Sequence, residues 1–304
     1  MPSLSVVRPS SNAEAMLPKA VKVLAEILDK EKIDFELVFV DDGSKDLTWS
    51  EILTAHQKDQ RVHGVHFSRN FGKEAAIFAG LAAAKGDCVA VMDCDLQHPP
   101  ETLVQMYRLW ESGYEVVEGV KASRGKESGA HRAAAGAFYK IMSRATKIDM
   151  SRASDFKLLD RRAVNTLLDM PEQNAFFRAM SSWIGFRRTQ VEFDVREREA
   201  GSSKWSTRKL IRYAISNIAG YSAAPMQFVT WAGIVFLAFA IILGIQTLVR
   251  YFSGRAVEGF TTVILLVLLT GSIIMISLGI IGYYVARIYE EAKRRPRYIV
   301  SRTV

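Results

Sequence analysis

The sequence predicts an α/β fold with a mainly parallel sheet, followed by two long apolar helices. Through roughly the first 200 residues, short runs rich in β-branched residues alternate with segments whose apolar residues recur at helical spacing. The composition then changes, and two extended uncharged runs follow one another. A chain of 304 residues is long enough for one large core or for two domains. These observations favour two regions of different character.

The α/β region contains five predicted strands: Leu4 to Val7, Phe35 to Val40, Val62 to Phe67, Cys88 to Met92 and Glu115 to Val120. Helical patterns lie between these strands and are predicted at Ala13 to Lys30, Trp49 to Gln57, Glu74 to Ala84 and Glu101 to Glu111. Because strands and helices alternate, we expect a parallel sheet covered on both faces. A ligand site is then expected at the carboxyl ends of the strands.

The two uncharged runs extend from Phe228 to Val249 and from Phe260 to Ala286. Each exceeds the roughly 20 residues that span ~30 Å of hydrocarbon, which predicts two transmembrane helices. Basic residues are concentrated before the first run and after the second, so we expect the amino-terminal region and the tail to be cytoplasmic. An amphipathic segment from Arg208 to Ser222 precedes the first run and is predicted to lie in the membrane interface.

Charge and cysteine content narrow the function classes further. The net charge of +8 is densest beside the apolar runs, where basic residues attract anionic headgroups, so it indicates a membrane surface rather than nucleic acid. The two cysteines, Cys88 and Cys94, would lie on the order of 20 Å apart on an extended segment. A disulfide between them is therefore excluded, which fits a reducing compartment.

An acidic motif follows the fourth predicted strand. The sequence Asp93-Cys94-Asp95-Leu96-Gln97 lies between buried residues and the turn at Pro99-Pro100. Carboxylate oxygens at the end of a strand suit Mg²⁺ or Mn²⁺. A solvated acidic loop is the alternative, because two carboxylates alone make a weak motif.

Two further motifs end the second and third strands. Asp41-Asp42-Gly43-Ser44 supplies carboxylates that would accept hydrogen bonds from a base or ribose, unless it is only a turn with a helix cap. Arg69-Asn70-Phe71-Gly72-Lys73-Glu74 places Lys73 near a helix amino terminus, where anions are favoured. The chain has no Walker-type loop, so a P-loop enzyme is not expected.

These segments recur together in a known family. They are Asp41 to Ser44, Ser68 to Glu74, Asp93 to Glu101, Ser154 to Leu159, Arg198 to Trp205 and Arg287 to Pro296. With them the chain resembles a family 2 glycosyltransferase of the GT-A fold, a Rossmann-like sheet flanked by helices. Within that family it resembles the polyprenyl-phosphate glycosyltransferases, which include dolichyl-phosphate mannose synthase. The two apolar runs are similar to those of bacterial undecaprenyl-phosphate members.

The resemblance implies roles for particular residues. Asp93, Asp95 and Gln97 would hold Mg²⁺ or Mn²⁺, and Asp155 matches the position of the catalytic base. Because a lipid phosphate is already largely ionised at neutral pH, Asp155 could instead orient the acceptor or hold an arginine. Asp93 would also bind the nucleotide sugar or its phosphates. The other residues predicted to do so are Pro9, Asn12, Glu14, Asp41, Asp42, Lys73, Arg124, Arg198 and Lys204.

The first strand departs from the family pattern. Relatives usually read apolar-Pro-x-Tyr/Phe-Asn-Glu-Glu, whereas this chain has Arg8 for the apolar residue, Ser11 for the aromatic and Ala13 for the first acid. Arg8 either compensates for the lost aromatic or faces solvent. A second departure is Tyr283, where the bacterial group often has Glu.

The resemblance implies an inverting transfer of a hexose, from UDP-glucose or UDP-N-acetylglucosamine, to polyprenyl phosphate at the bacterial inner membrane. Together with the uncharged runs and the basic residues that flank them, this predicts a cytoplasmic catalytic domain (1–206), an interfacial helix (207–225), a transmembrane hairpin (226–287) and a basic cytoplasmic tail (288–304). A processive polysaccharide synthase is the first alternative, although the Gln-x-x-Arg-Trp motif is missing before Trp183. A degenerate, non-catalytic membrane partner is the second. Whether the chain forms a homo-oligomer is left open.

Overall fold

The computed structural model describes residues 3–94, 97–122, 154–173, 175–194, 224–254 and 259–304. In these residues one sheet has the strand order β7-β5-β6-β4-β1-β2-β3-β8. Its strands are β1 (Leu4–Ser10), β2 (Phe35–Asp41), β3 (Val62–Phe67), β4 (Cys88–Val91), β5 (Val116–Lys121), β6 (Lys157–Asp160), β7 (Arg188–Phe193) and β8 (Val300–Thr303). Strands β1 to β4 are mutually parallel, as is the β5–β7 pair, whereas β6 and β8 run antiparallel to their neighbours. The predicted fold class is confirmed.

Six of the described helices follow the sequence pattern closely, whereas two were not predicted. The helices are α1 (Leu17–Lys30), α2 (Thr48–Lys58), α3 (Lys73–Ala83), α4 (Pro100–Glu111), α5 (Arg161–Asp169), α6 (Phe177–Trp183), α7 (Ala224–Phe252) and α8 (Phe260–Ala292). The two that were not predicted are α5 and α6. Helix α1 buries Leu17, Leu24 and Leu28 along one stripe, as an amphipathic surface helix does. Helix α4 begins at Pro100, whose fixed φ suits the first helical position. Helices α1 and α4 pack together, while α3 packs on β1 and β2.

The tail returns to the sheet after α8. Strand β8 pairs with β3, and Gly64 and Val304 exchange backbone hydrogen bonds of 2.9 and 3.0 Å. The Arg297 guanidinium donates to the carbonyl oxygens of Met170 and Glu172. Residues from Arg295 onward therefore belong to the same compact unit as the residues before 195.

The second compact unit contains α7 and α8. Its candidate membrane spans are Val229–Thr247 and Leu269–Ala292, with mean hydropathies of 2.2 and 1.8. Large apolar side chains on both helices are exposed, for example Ile242 at 62% and Ile276 at 64%. Apolar surface of this extent is covered in a bilayer but not in water. The predicted interfacial helix lies outside the described residues, and the four-part division of the chain stays a prediction.

Candidate active site

The predicted site residues come from loops that leave one edge of the sheet. Because β1, β2, β3 and β4 are parallel, the loops after Ser10, Asp41, Phe67 and Val91 lie side by side. This carboxyl edge is where ligands bind in open α/β sheets.

Asp41, predicted to face a nucleoside, is buried at the end of β2. Its Oδ2 lies 2.8 Å from Nδ1 of His66, and its Oδ1 accepts the N–H of Ser44 at 3.0 Å. The ring of His66 also packs against Trp49, with centroids 5.1 Å apart. Sequence reasoning missed His66, because a histidine at an inward position of a strand carries no motif of its own.

Asp42 joins the loop after β2 to the start of α3. Its carboxylate accepts N–H groups from Phe71 at 2.7 Å and from Gly72 at 3.0 Å. Burial raises the pKa of Asp42, and these two hydrogen bonds oppose that rise. Gly43 allows the loops to approach, since its φ is +61° and a Cβ there would lie 2.5 Å from the carbonyl carbon of Arg69.

Asn12 and Glu14, predicted to bind the nucleotide, connect the first loop to the second. Oδ1 of Asn12 accepts the N–H of Lys45 at 3.2 Å, and Oε2 of Glu14 accepts the N–H of Leu47 at 2.8 Å. Both side chains are exposed, and Pro9 is partly buried in β1. The structure thus places these residues at the carboxyl edge, and their contact with a nucleotide stays a prediction.

Lys73 bridges two of the predicted acids. Its ammonium lies 2.6 Å from Oδ1 of Asp93 and 2.7 Å from Oδ2 of Asp155. Burial disfavours its charge, but Asp155 and Asp93 outweigh burial and raise the pKa of Lys73. Burial likewise disfavours the charged form of Asp93, yet Lys73 holds the pKa of that carboxyl below its usual value. Asp93 and Asp155, which are far apart in the sequence, are thus joined through the ammonium group of Lys73.

Asp155 also binds an arginine. Nε of Arg178 lies 2.6 Å from Oδ1 of Asp155, and Nη2 lies 2.8 Å from Oδ2, a bidentate pair. Although burial disfavours its charge, Lys73 and Arg178 hold the pKa of Asp155 far below its usual value. Sequence reasoning had left open that Asp155 holds an arginine, but it had not identified Arg178, which lies in the short helix α6 outside any motif.

Glu74 completes the charged cluster. Its Oε2 accepts the N–H of Phe177, the first residue of α6, at 2.9 Å. Burial, and then the negative charge of Asp155, raise the pKa of Glu74 to about 7. Glu74 is therefore the group of this cluster that titrates near neutral pH, and sequence reasoning had assigned it no role.

A buried ion pair contacts the segments that carry Asp155 and Arg178. Nζ of Lys157 lies 3.0 Å from Oε1 of Glu118, and both side chains are buried. Glu118 also accepts the N–H of Ser154 at 3.2 Å, and Lys157 donates to Oγ of Ser182 at 3.3 Å. The pair thus contacts the residue before Asp155 and the helix that carries Arg178.

The proposed metal loop is described only in part. Asp93 and Gln97 are described, whereas Asp95 lies outside the described residues. The ring of His98 stacks on Phe156 with centroids 4.6 Å apart, which places the end of this loop beside Asp155. Among the described residues, three His, Cys, Asp or Glu side chains do not meet in a metal-binding group. The described donors of this loop, the Asp93 carboxylate and the Gln97 side-chain amide, offer oxygen atoms, which are the ligands that a hard divalent cation prefers.

The other predicted cations are not placed by the structure. Arg124 belongs to residues 123–153, and Arg198 and Lys204 belong to residues 195–223, which lie outside the described residues. Their assignment to substrate phosphates stays a prediction. Within the described residues, the cations that meet the predicted acids are Lys73 and Arg178.

Comparison with known proteins identifies the family of the chain. The family model for glycosyl transferase family 2 matches residues 5–168. A prophage bactoprenol glucosyl transferase homolog of Escherichia coli is 35% identical, with 98% of each chain covered. An uncharacterised glycosyltransferase of Bacillus subtilis is 38% identical over 98% of this chain and 93% of its own length.

A solved structure supports the fold alone. A mycobacterial protein superposes with a TM-score of 0.51 at 18% identity, covering 72% of this chain and 73% of its own. The sheet of the described residues, the match over residues 5–168 and the full-length relatives lead to one assignment. The chain belongs to glycosyl transferase family 2.

Proposed function

We propose that this glycosyltransferase carries out the inverting transfer of a hexose from a nucleotide sugar, UDP-glucose or UDP-N-acetylglucosamine, to polyprenyl phosphate. The observation that carries the proposal is the charged cluster in which Lys73 bridges Asp93 and Asp155 at the carboxyl edge of the sheet. Full-length relatives named bactoprenol glucosyl transferase support a polyprenyl-phosphate acceptor and favour glucose as the sugar.

The chemistry requires orientation more than proton removal. An oxygen of the acceptor phosphate attacks the anomeric carbon, the bond to the nucleoside diphosphate breaks on the opposite face, and a β-linked glycosyl phospholipid forms. Because the second pKa of a phosphomonoester is near 6, the attacking oxygen is largely ionised at neutral pH. Asp155 would therefore act by holding Lys73 and Arg178 toward the phosphates.

A divalent cation, Mg²⁺ or Mn²⁺, fits the donor side of this site. Asp93, Asp95 and Gln97 would hold it through oxygen atoms. When bound, the cation offsets the charge that develops on the leaving diphosphate. The residues of this chain then have to position the donor and exclude water from the anomeric carbon.

The proposed location is the cytoplasmic face of the bacterial inner membrane. Two candidate spans separate the residues before 195 from β8, yet β8 is hydrogen-bonded to β3 within one compact unit. An even number of crossings is needed for the chain to return to the side on which it started. The pairing therefore supports a hairpin of two spans with both flanking regions on one side, and the excess of Lys and Arg favours the cytoplasm.

The test is transfer by the purified full-length chain in detergent or nanodiscs. We would supply undecaprenyl phosphate, Mg²⁺ or Mn²⁺, and radiolabelled UDP-glucose, UDP-N-acetylglucosamine or GDP-mannose in separate reactions. We expect a glycolipid from a UDP-sugar, with a β anomeric linkage by NMR. Asp93→Asn should abolish transfer, while the matched control Asp87→Asn, an exposed acid at the opposite end of β4, should retain it.

The products separate the alternatives. A polymer that grows in the absence of lipid acceptor would indicate a processive synthase. No transfer from any donor, together with no UDP binding, would indicate a non-catalytic membrane partner. Either outcome would refute the proposal.

A further inference from the structure

Arg8 is a fully buried arginine that the proposed chemistry does not use. It lies in β1 with 0% of its surface exposed. One nitrogen, Nη2, donates to the carbonyl oxygen of Asp93 at 2.6 Å. The other two, Nε and Nη1, are buried without a hydrogen-bond partner, and Arg8 forms no ion pair with any described residue.

Within the described residues, the burial of Arg8 is only partly compensated. A guanidinium stays protonated in proteins, so burial removes a full charge from water. One hydrogen bond to a neutral carbonyl offsets only part of that loss, and each unpaired buried N–H adds to it. Apolar residues that replace buried charges often leave stability unchanged or raise it. The contacts of Arg8 with the described residues therefore do not account for an arginine at this position through stability.

The contact of Arg8 with Asp93 points to a role in placing the loop that follows β4. The backbone ladder between β1 and β4 ends at Val91, followed by one further bond from the N–H of Met92 to the carbonyl of Val7 at 3.1 Å. Beyond that point the contacts to β1 come from side chains. Arg8 donates to the carbonyl of Asp93, and Oγ of Ser10 lies 3.0 Å from Sγ of Cys94.

We propose that Arg8 is a positioning residue for the divalent-cation site, because its buried guanidinium fixes the Asp93 peptide where the strand ladder has ended. The inference rests on the proposed function, since it assumes that Asp93 is a metal ligand. By holding the peptide, Arg8 fixes the direction of the Asp93 carboxylate before the cation arrives. Outer partners of metal ligands typically contribute 10–100-fold to metal affinity.

The experiment compares Arg8→Met with wild type in the full-length chain. Mn²⁺ binding would be measured by the electron paramagnetic resonance of free Mn²⁺ with UDP present, and thermal melting would be measured without metal. We expect the dissociation constant for Mn²⁺ to rise roughly tenfold or more, while the melting temperature stays equal or rises. Arg61→Met, which removes an arginine paired with Asp29 and Asp59 on the protein surface, should bind Mn²⁺ like wild type.

The opposite pattern would overturn the inference. A dissociation constant within twofold of wild type would show that Arg8 does not position the site. A loss of Mn²⁺ affinity accompanied by lower melting temperature and weaker metal-free UDP binding would show a general structural role. If Arg8→Met does not fold, Arg8→Lys decides: weaker Mn²⁺ binding at unchanged metal-free UDP affinity supports positioning, and unchanged Mn²⁺ binding refutes it. If the wild type itself binds no Mn²⁺, both the cation site of the proposed function and this inference are refuted. If the wild type binds Mn²⁺ and the Arg8 variant binds it equally well, only the inference about Arg8 is refuted.

Discussion

Asp155→Asn should destabilise the protein as well as inactivate it. The substitution keeps the shape of the side chain but removes the charge that Lys73 and Arg178 share. Asp155 is 5% exposed, so water does not replace the lost partner. Both cations are left with a neutral amide that accepts fewer and weaker hydrogen bonds.

The magnitude follows from the three contacts of 2.6, 2.7 and 2.8 Å. Removing one partner of a buried charge pair costs roughly 3–5 kcal/mol in the free energy of unfolding. For a domain of roughly 200 residues, each kcal/mol lowers the melting temperature by about 2–4 °C. We therefore expect the melting temperature of Asp155→Asn to fall by about 10 °C.

The loss of stability in Asp155→Asn should also depend on pH. The pKa of Asp155 is lowered, so its stabilising charge is present above the unfolded value of 3.8 and is lost only at more acid pH. Burial, and then the negative charge of Asp155, raise the pKa of Glu74, so Asp155→Asn should remove the second of these causes and let Glu74 ionise at lower pH and pair with the cations. The loss of stability should consequently be larger at pH 5 than at pH 8.

The assay is chemical unfolding of the full-length chain in detergent at both pH values, alongside the transfer reaction. Asp87→Asn is the matched control, because Asp87 is exposed. An unfolding free energy for Asp155→Asn within about 0.5 kcal/mol of wild type, the ordinary range of surface substitutions, would refute the ion-pair role. A wild-type acid limb in the rate profile that disappears in Asp155→Asn would instead indicate a catalytic base.

Three further predictions concern Glu74, the buried ion pair beside the cluster and the pairing of β8. Since the pKa of Glu74 is about 7 against an ordinary 4.5, its neutral form stabilises the fold below pH 4.5, and this contribution is lost as pH rises through 7. In urea unfolding, the advantage of Glu74→Gln over wild type in the free energy of unfolding should therefore be about 2 kcal/mol larger at pH 8.5 than at pH 5, and an equal difference at both pH values would contradict the raised pKa. Glu118→Gln should lower the free energy of unfolding, measured in urea, by about 3 kcal/mol, because it leaves Lys157 buried without its countercharge. The double variant Glu118→Gln/Lys157→Met should recover most of this stability, and the absence of any recovery would contradict the ion pair. Gly64→Ala should lower stability by about 1–3 kcal/mol and speed hydrogen exchange of β8, because its Cβ would lie 2.5 Å from Ile52 and 2.9 Å from Val304; unchanged exchange would contradict the pairing.

The parallel half of the sheet was predictable because its strands are buried on both faces. Every residue of β2 is buried, and β4 reads as one apolar run, so local composition alone indicates strands. Strand β8 is exposed along its whole length and gives no such signal. Strand β6 begins with Lys157, whose burial makes sense only once Glu118 lies beside it, a pairing between residues far apart in the chain.

The site was predictable to the extent that it follows motifs. Asp93, Asp155 and Lys73 were each identified from sequence, but their convergence on one ammonium depends on the order of the strands. Arg178 has no motif, and only the position of α6 brings it to Asp155. Local sequence therefore identifies the two acids and Lys73, whereas tertiary structure brings them together and adds Arg178.

The charge balance of the described cluster shows what the substrates still require. Asp93 and Asp155 are matched by Lys73 and Arg178, while Glu74 is largely neutral below its pKa of about 7. A nucleotide diphosphate and a lipid phosphate together bring roughly four further negative charges. A divalent cation offsets two of them, so at least two more positive charges must approach from elsewhere. The basic residues predicted for that role, Arg124, Arg198 and Lys204, belong to residues 123–153 and 195–223. The assignment of these three residues to the substrate phosphates stays a prediction.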